Sequence, residues 1–423
     1  MTLAHESLAL LPRHDSDETP LVQRQRWLQW IGISGTTVFA LLAGLILGLT
    51  QDQGATTGQL LAGADAWMVL ATTFTLPEDA PSSATVAFIS NSISYFNDLP
   101  RFMTALSEGS IVQDSCFHGD ASLDSMLATG NGMYQIWQTE NASVEDYNKN
   151  ESILYDFGAC TIQQLLLGSD PRLASDSSNV SLPVNDGLNP CLQDDAYRRY
   201  RESLYQDQDP PAWDFVFLSD LTRNPGRHDT RQQGLTVLQE SYVPWFQQTK
   251  SIPILLDTHA YWNTGFDLAD FGDVPGFTSF TYEGYKEYAQ LLADALPAIQ
   301  KPRIVLSGIA FLTVWEEDYD FWRNKLFHSD NLHPSPSGTF LLGCCLHYAL
   351  FGRMPDPAVA LRKDMSSLWA TARRMQPADD PPNPFPTMKE AAYLYEVADR
   401  VTRLGYVPRS FVAFHHGEAA SGP

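Results

Sequence analysis

Residues 84–100, ATVAFISNSISYFNDLP, decide how the rest of the chain is read. The first six form an apolar run suited to a buried strand, and the polar SNS then closes it. Ser92 is therefore expected where a strand ends and a helix begins, the place at which an α/β protein gathers reacting groups. Four further runs read as strands, at residues 110–117, 214–219, 252–257 and 303–307, and three of them are short apolar stretches closed by a polar residue. Helical spacing lies between them. It is clearest over residues 282–299, where Tyr285, Tyr288, Leu292, Leu296 and Ile299 recur three or four apart.

Alternating strand and helix predicts an α/β fold: a three-layer α/β/α sandwich around a flavodoxin-like parallel five-stranded sheet, order 2-1-3-4-5, with right-handed crossovers. The main domain spans residues 83–375. Residues 134–212 are too long for an ordinary connection and read as an insertion, partly helical. Residues 376–423 hold the Pro-rich QPADDPPNPFP, a last helix over 388–404 expected to pack peripherally, and the tail HHGEAASGP.

The chain has 423 residues, 44% hydrophobic and 18% charged, which is a folded composition. Its net charge of -23 excludes nucleic-acid backbones as partners, because counterion release needs clustered Lys and Arg. Three sequons, at Asn141, Asn150 and Asn179, fall in the insertion and suit a glycosylated surface. Cys116, Cys160 and Cys191 lie in or beside it, so an oxidising compartment would bridge Cys160 to Cys191 or either one to Cys116. Cys344 and Cys345 sit in an apolar helical run and read as buried free thiols.

Near the amino end, residues 27–50 carry no charge, and residues 31–49 are apolar enough to cross a bilayer. Arg24 and Arg26 precede this stretch and the next basic residue is Arg101, so residues 1–26 are expected in the cytosol, 27–50 as a transmembrane anchor and 51–82 as a stalk. The expected localisation is a single-pass type II membrane protein of the secretory pathway, in the Golgi lumen or at the cell surface. A cleaved signal segment, leaving a secreted protein, is the alternative.

A second segment completes the chemistry of the first. HSDNLHPSPSGT, residues 328–339, places Asp330 three residues before His333, so that one turn aims a carboxylate at an imidazole. A serine hydroxyl is a poor nucleophile until a base takes its proton, and an imidazole is a better base when a carboxylate fixes its tautomer. Asp257 and His259, in LLDTHAYW, end the fourth strand and read as lining or bracing the same edge. No third ligand accompanies them, so neither a metal nor any other cofactor is expected. Trp213, Trp262, Trp315 and Trp322 read mainly as core. Gly130 and Gly132 read as a turn or helix cap.

The ordered segments resemble the SGNH or GDSL-type serine hydrolases over residues 84–352. In that family a first block of Gly, then Asp or Asn, then Ser ends on the nucleophile; here it reads Ser90, Asn91, Ser92. The last block, Asp-x-x-His, is matched by Asp330 and His333. The resemblance implies that His333 deprotonates Ser92 and Asp330 orients it. It also implies an oxyanion hole from the Ser92 N–H, a second-block glycine and a third-block asparagine. Gly119 in CFHGDASL is the candidate for the glycine, with Gly130 or Gly132 as the second choice, whereas DFVFLSDLTRNP has Ser219 where asparagine is expected, so either Ser219 donates, or Asn224 reaches in, or the hole is weaker than usual. Asn91 and Asp220 are further expected to line the site.

The function so implied is serine-dependent hydrolysis of a carboxylic ester, an O-acyl carbohydrate or a lipid ester, through an acyl-enzyme. The alternatives are a lumenal O-acyltransferase acting on glycans, and an inactive relative that binds a glycan or lipid.

Overall fold

The apolar runs assemble into one parallel sheet in the computed structural model, which describes residues 81–137, 156–173, 182–205, 211–261, 270–375 and 382–417. The strands are β1 (Ala84–Ser90), β2 (Ile111–Phe117), β3 (Phe215–Leu218), β4 (Ile252–Leu256) and β5 (Arg303–Val305), in the order β2-β1-β3-β4-β5. Ser90 pairs with Phe117, Ile89 with Leu218 and Leu256 with Val305, so all five strands end along one edge. The expected sheet, order and direction are all observed.

Alternation along the strands builds two cores. Val86, Phe88, Phe217 and Ile254 face one side, Ala87, Ile89, Val216 and Leu255 the other, and all eight are fully buried. The first side is covered by α1 (Ser92–Tyr95) and α2 (Leu99–Leu106), the second by α3 (Leu123–Thr129), with α4 (His228–Val237) and α5 (Val243–Thr249) following. Helix α6 (Val274–Ala295) contributes Phe277 to the first core and Tyr285, Tyr288 and Leu292 to the second. Helices α7 (Ser307–Glu317), α8 (Pro336–Phe351) and α9 (Met388–Thr402) complete the first layer.

Two sequence expectations shift. Helix α6 begins eight residues before Tyr282 and ends before Ile299, which is 84% exposed. Asp273 caps its start by accepting from Gly276 N at 2.8 Å, and burial of Phe277 and Thr278 overrides the weak propensity of VPGFTSFT. Helix α9 is not peripheral. Its Ala391, Leu394, Val397, Ala398 and Val401 are buried in the first core, a stripe at helical spacing laid on α8.

The described parts of residues 134–212, with Gly132 just before them, seal the outer edge of β2. Ala159 N donates to Ser115 O (2.8 Å) and Gly132 N to Phe117 O (2.7 Å). Gly158 has φ +95° and a Cβ there would lie 2.2 Å from Ser115 O, so this close approach requires glycine. Cys160 is bridged to Cys191, while Cys116, Cys344 and Cys345 are buried free thiols. The three sequons, Trp262 and residues 31–49 lie outside the described residues; among the described residues no helix is long and apolar enough to cross a membrane.

A buried charge cluster joins this region to the start of α2. Asp98, fully buried at φ 50°, accepts from Arg101 Nη1 (3.0 Å) and from the N and Nε of Arg373 (3.0 and 3.1 Å), while both arginines also bond Asp156. Burial pushes the Asp98 carboxyl up, but the Arg101 and Arg373 charges outweigh it and hold the group below its ordinary value. Asp98→Asn keeps the shape and tolerates positive φ, yet leaves buried guanidinium groups short of charge. Urea unfolding should show a loss of about 3 kcal/mol or more, and a loss under about 1 kcal/mol would contradict this role. Replacing Cys160 and Cys191 by Ser opens a loop spanning 31 positions and should cost about 3 to 4 kcal/mol in the same assay.

Candidate active site

The sheet register sets the site. Beyond the last residues of β1, His118 N donates to Ser90 O (3.2 Å) from one flank and Ser219 N to Ile89 O (3.0 Å) from the other. Ser92, Gly119 and Ser219 thus follow three adjacent strands, whose spacing is about 4.8 Å. Ser90, in place of the family's glycine, is not at positive φ; it remains in β1 with its hydroxyl 2.6 Å from Ser94 Oγ. The exchange therefore introduces no backbone strain. Asn91 caps α1, its Oδ1 accepting from Ile93 N (3.2 Å), while its Nδ2 donates to Ala121 O (3.3 Å) and Asp220 O (3.0 Å). One side chain so fixes the starts of three loops.

Ser92 is partly exposed at the amino end of α1, and so is Gly119. Among the described residues neither backbone N–H has a hydrogen-bond partner, which leaves two donors uncommitted at one end of the sheet.

His333 is built into a closed loop. An antiparallel bridge joins Phe327 to Pro334, His328 N donates to His333 O (2.9 Å), and Ser335 N donates to Leu326 O (2.9 Å). Asn331, at φ 56°, turns the chain so that Asp330 Oδ1 accepts from the N–H groups of Leu332 (2.9 Å) and His333 (3.0 Å). Asp330 Oδ2 then receives His333 Nδ1–H at 2.6 Å. Burial raises the Asp330 carboxyl, but the side-chain hydrogen bond and charge of His333, with these two N–H groups, bring it down to about 2. The other imidazole nitrogen, Nε2, has no accessible surface and no partner among the described residues.

The two loops meet through Phe96 and Asn97. The His333 ring lies flat on Phe96, centroids 3.6 Å and planes 6° apart. Phe96 N donates to Ser92 O (3.2 Å), so the stacked ring stands one helical turn from the serine. Asn97 Nδ2 donates to Pro334 O at 2.6 Å and to Thr339 Oγ1 at 2.9 Å. No local pattern in the sequence marks either residue. Further support comes from His328, whose ring is edge-on to Phe96 and receives a hydrogen bond from Asn383, within the Pro-rich segment.

The remaining candidates separate by exposure. Asn224 is partly exposed and spends one Nδ2–H on Asp220 Oδ1 (3.3 Å). Ser219 is fully buried and its hydroxyl donates to Asp220 O (3.3 Å), turned away from any surface. Asn91, Asp220, Asp257 and His259 are also buried, with at most 1% exposure, so they lie beneath the edge rather than along an open surface. Asp220 accepts from Leu123 N, Leu221 N, Asn224 Nδ2 and Tyr288 Oη, and burial nevertheless raises its carboxyl. Asp257 faces Gly308 at the amino end of α7, where a Cβ would lie 2.7 Å from Oδ2; burial pushes its carboxyl well up. His259 donates from Nε2 to Leu332 O (3.0 Å), directly bracing the His333 loop, and burial lowers its pKa to about 4.

Outside this set, His118 carries a contact of its own: Nε2 is 2.6 Å from Asp186 Oδ2 and Nδ1 is 3.1 Å from Gly119 O. Gly130 caps the end of α3, as expected, and Gly132 packs against the His118 ring. Trp315 and Trp322 are core residues, while Trp213 is partly exposed and donates to Leu165 O (2.7 Å). Among the described residues no group of three or more His, Cys, Asp or Glu is placed to hold a metal ion.

No protein-family model matches the chain, and no curated protein matches it. Among solved structures it is similar to a protein from Slackia heliotrinireducens described as "a putative SGNH hydrolase", at 14% identity and a TM-score of 0.36, over 63% of this chain and 99% of that one. It is also similar to a DUF4886 family protein from Bacteroides uniformis, at 15% identity and a TM-score of 0.42, over 77% of this chain and 97% of that one.

Proposed function

We propose that the protein is an SGNH-like serine hydrolase that cleaves a carboxylic ester through an acyl-enzyme on Ser92. The observation that carries this reading is the state of His333. Its Nδ1 is held by Asp330 at 2.6 Å, its ring is stacked on Phe96 one turn from Ser92, and its Nε2 is buried without a partner among the described residues. A buried polar atom without a partner is costly, and a serine hydroxyl would fill that position.

In this reading Ser92 Oγ attacks the ester carbonyl and its proton passes to His333 Nε2. The carbonyl oxygen becomes an oxyanion, held by the N–H groups of Ser92 and Gly119 and by the second Nδ2–H of Asn224. Collapse expels the alcohol, which takes the proton from His333. Water then attacks the acyl-enzyme by the same route and releases the acid. Asn224 fits the third donor better than Ser219, whose hydroxyl is buried on Asp220. With Ser90 free of backbone strain, that exchange no longer favours an inactive relative. The substrate proposed is an O-acyl carbohydrate or a lipid ester, met by a type II anchored protein on the lumenal or extracellular side.

A fluorophosphonate probe applied to the full-length protein should label Ser92, with fluoride leaving as the Ser92 Oγ–phosphorus bond forms. Ser92→Ala should abolish the label, and His333→Ala should slow it about 100-fold or more. Labelling of a different serine would overturn the assignment.

The braces of the histidine loop also set an acid limit. Burial lowers both His259 and His328 from 6.5 to about 4. The unfolded chain therefore binds protons below about pH 6.5 that the folded chain refuses, so stability falls as pH drops from about 6.5 to 4, by up to about 3 kcal/mol for each histidine. The Asp330 contribution is lost only lower, as pH falls through about 2. Thermal unfolding should show this decline, flattened in His259→Gln; equal slopes in both proteins would contradict it.

A further inference from the structure

We propose that Asn97 is a positioning residue that sets the reach between Ser92 and His333. This rests on the hydrolase reading above and adds to it a residue that no sequence motif contains. Asn97 is 2% exposed and follows Phe96, whose ring carries the His333 imidazole. Its Nδ2 uses both hydrogens across the junction, one on Pro334 O (2.6 Å) and one on Thr339 Oγ1 (2.9 Å). Pro334 is the residue after His333, and Thr339 lies near the amino end of α8. Asn97 Oδ1 has no partner among the described residues, so the two donated bonds account for the polar contacts of this side chain.

The chemistry of those contacts fixes the residue type. Both partners are placed as acceptors, so an amide nitrogen suits them and a carboxylate oxygen opposes the Pro334 carbonyl. Removing the amide leaves that carbonyl without its donor inside the protein. Apart from the Phe96 stack, which is not a directional bond, the hydrogen-bonded ties on the His333 loop come from elsewhere: Leu332 O is held by His259 after β4, and His328 by Asn383. Asn97 differs from both because it belongs to the segment that carries the serine. Its loss therefore lets the serine and histidine segments move relative to one another while each keeps its internal bonds. Proton transfer depends steeply on that separation, and a misplacement of about 1 Å costs on the order of 100-fold. Binding of an acyl or alkyl chain does not depend on it in the same way.

The test measures fluorophosphonate inactivation of the full-length protein with Asn97→Ala and Asn97→Asp, separating the maximal rate from the half-saturating probe concentration. Thermal unfolding first fixes a temperature at which each variant is folded. The expected result is a maximal rate at least about tenfold lower with half-saturation within about twofold of the original. Thr339→Val, which removes one acceptor and keeps the shape, should lower the rate by less. A rate within about twofold of the original in a folded Asn97 variant overturns the proposal, as does a fall that only follows the folded fraction.

Nitrogen-15 imidazole NMR gives a readout without any probe. The His333 Nδ1–H signal should be sharp in the original protein and shifted or broadened in Asn97→Asp, which also serves if Asn97→Ala does not fold. Should the original protein fail to label at Ser92, the hydrolase reading falls by itself. The NMR arm then decides the positioning role alone, and an unchanged His333 signal in the variant overturns it.

Discussion

The site depends on a contact between two short pieces of chain, residues 96–97 and 333–334. Asn97 and Pro334 are 237 positions apart, and a flexible chain would meet at that separation only at an entropic cost of several kcal/mol. A 3.6 Å ring stack and two buried amide hydrogen bonds cannot supply that alone. The sheet does most of it. With β1 held between β2 and β3 and the first core built from β1, α2, α7 and α8, the Ser92 segment and the amino end of α8 are already neighbours before the amide bonds form. Asn97 and Phe96 then fix a distance that the sheet leaves loose.

The second constraint is the division between groups at the surface and groups beneath it. Ser92, Gly119, Asn224, Asp330 and His333 keep accessible surface, as the proposed chemistry requires of groups at the open edge. Asn91, Ser219, Asp220, Asp257 and His259 do not, and the hydrogen bonds they make run to backbone atoms and neighbouring side chains of the loops above them. Among the described residues, three of the five non-glycine residues at positive φ, Asp98, Asp120 and Asn331, lie on the loops that carry Ser92, Gly119 and His333. Local strain of this kind persists where surrounding contacts over-determine the backbone, and here those contacts converge on one edge of the sheet.

The sheet was legible in the sequence because its signal is local: four short apolar runs, each closed by a polar residue, together with the more polar run at residues 110–117, specify strands wherever they fall. The Asp330–His333 pair was legible for the same reason, since three residues suffice to make the contact. The choice between Ser219 and Asn224 was not legible because a motif position says which residue occupies a place and not which way it faces. The start of α6 was hidden because the favourable term is burial of Phe277 against the sheet, which propensity does not contain. Phe96 and Asn97 were illegible as site residues in a stronger sense: each acts on a partner 237 positions away, and nothing nearby in the chain records it.

A crystal structure of the protein after reaction with a fluorophosphonate tests the central claim most directly. It should show phosphorus on Ser92 Oγ, the phosphoryl oxygen within about 3 Å of the Ser92 and Gly119 N–H groups, and His333 Nε2 within about 3.2 Å of Ser92 Oγ. Phosphorus on another residue, or a His333 ring with its Nε2 pointing away from Ser92, would contradict it.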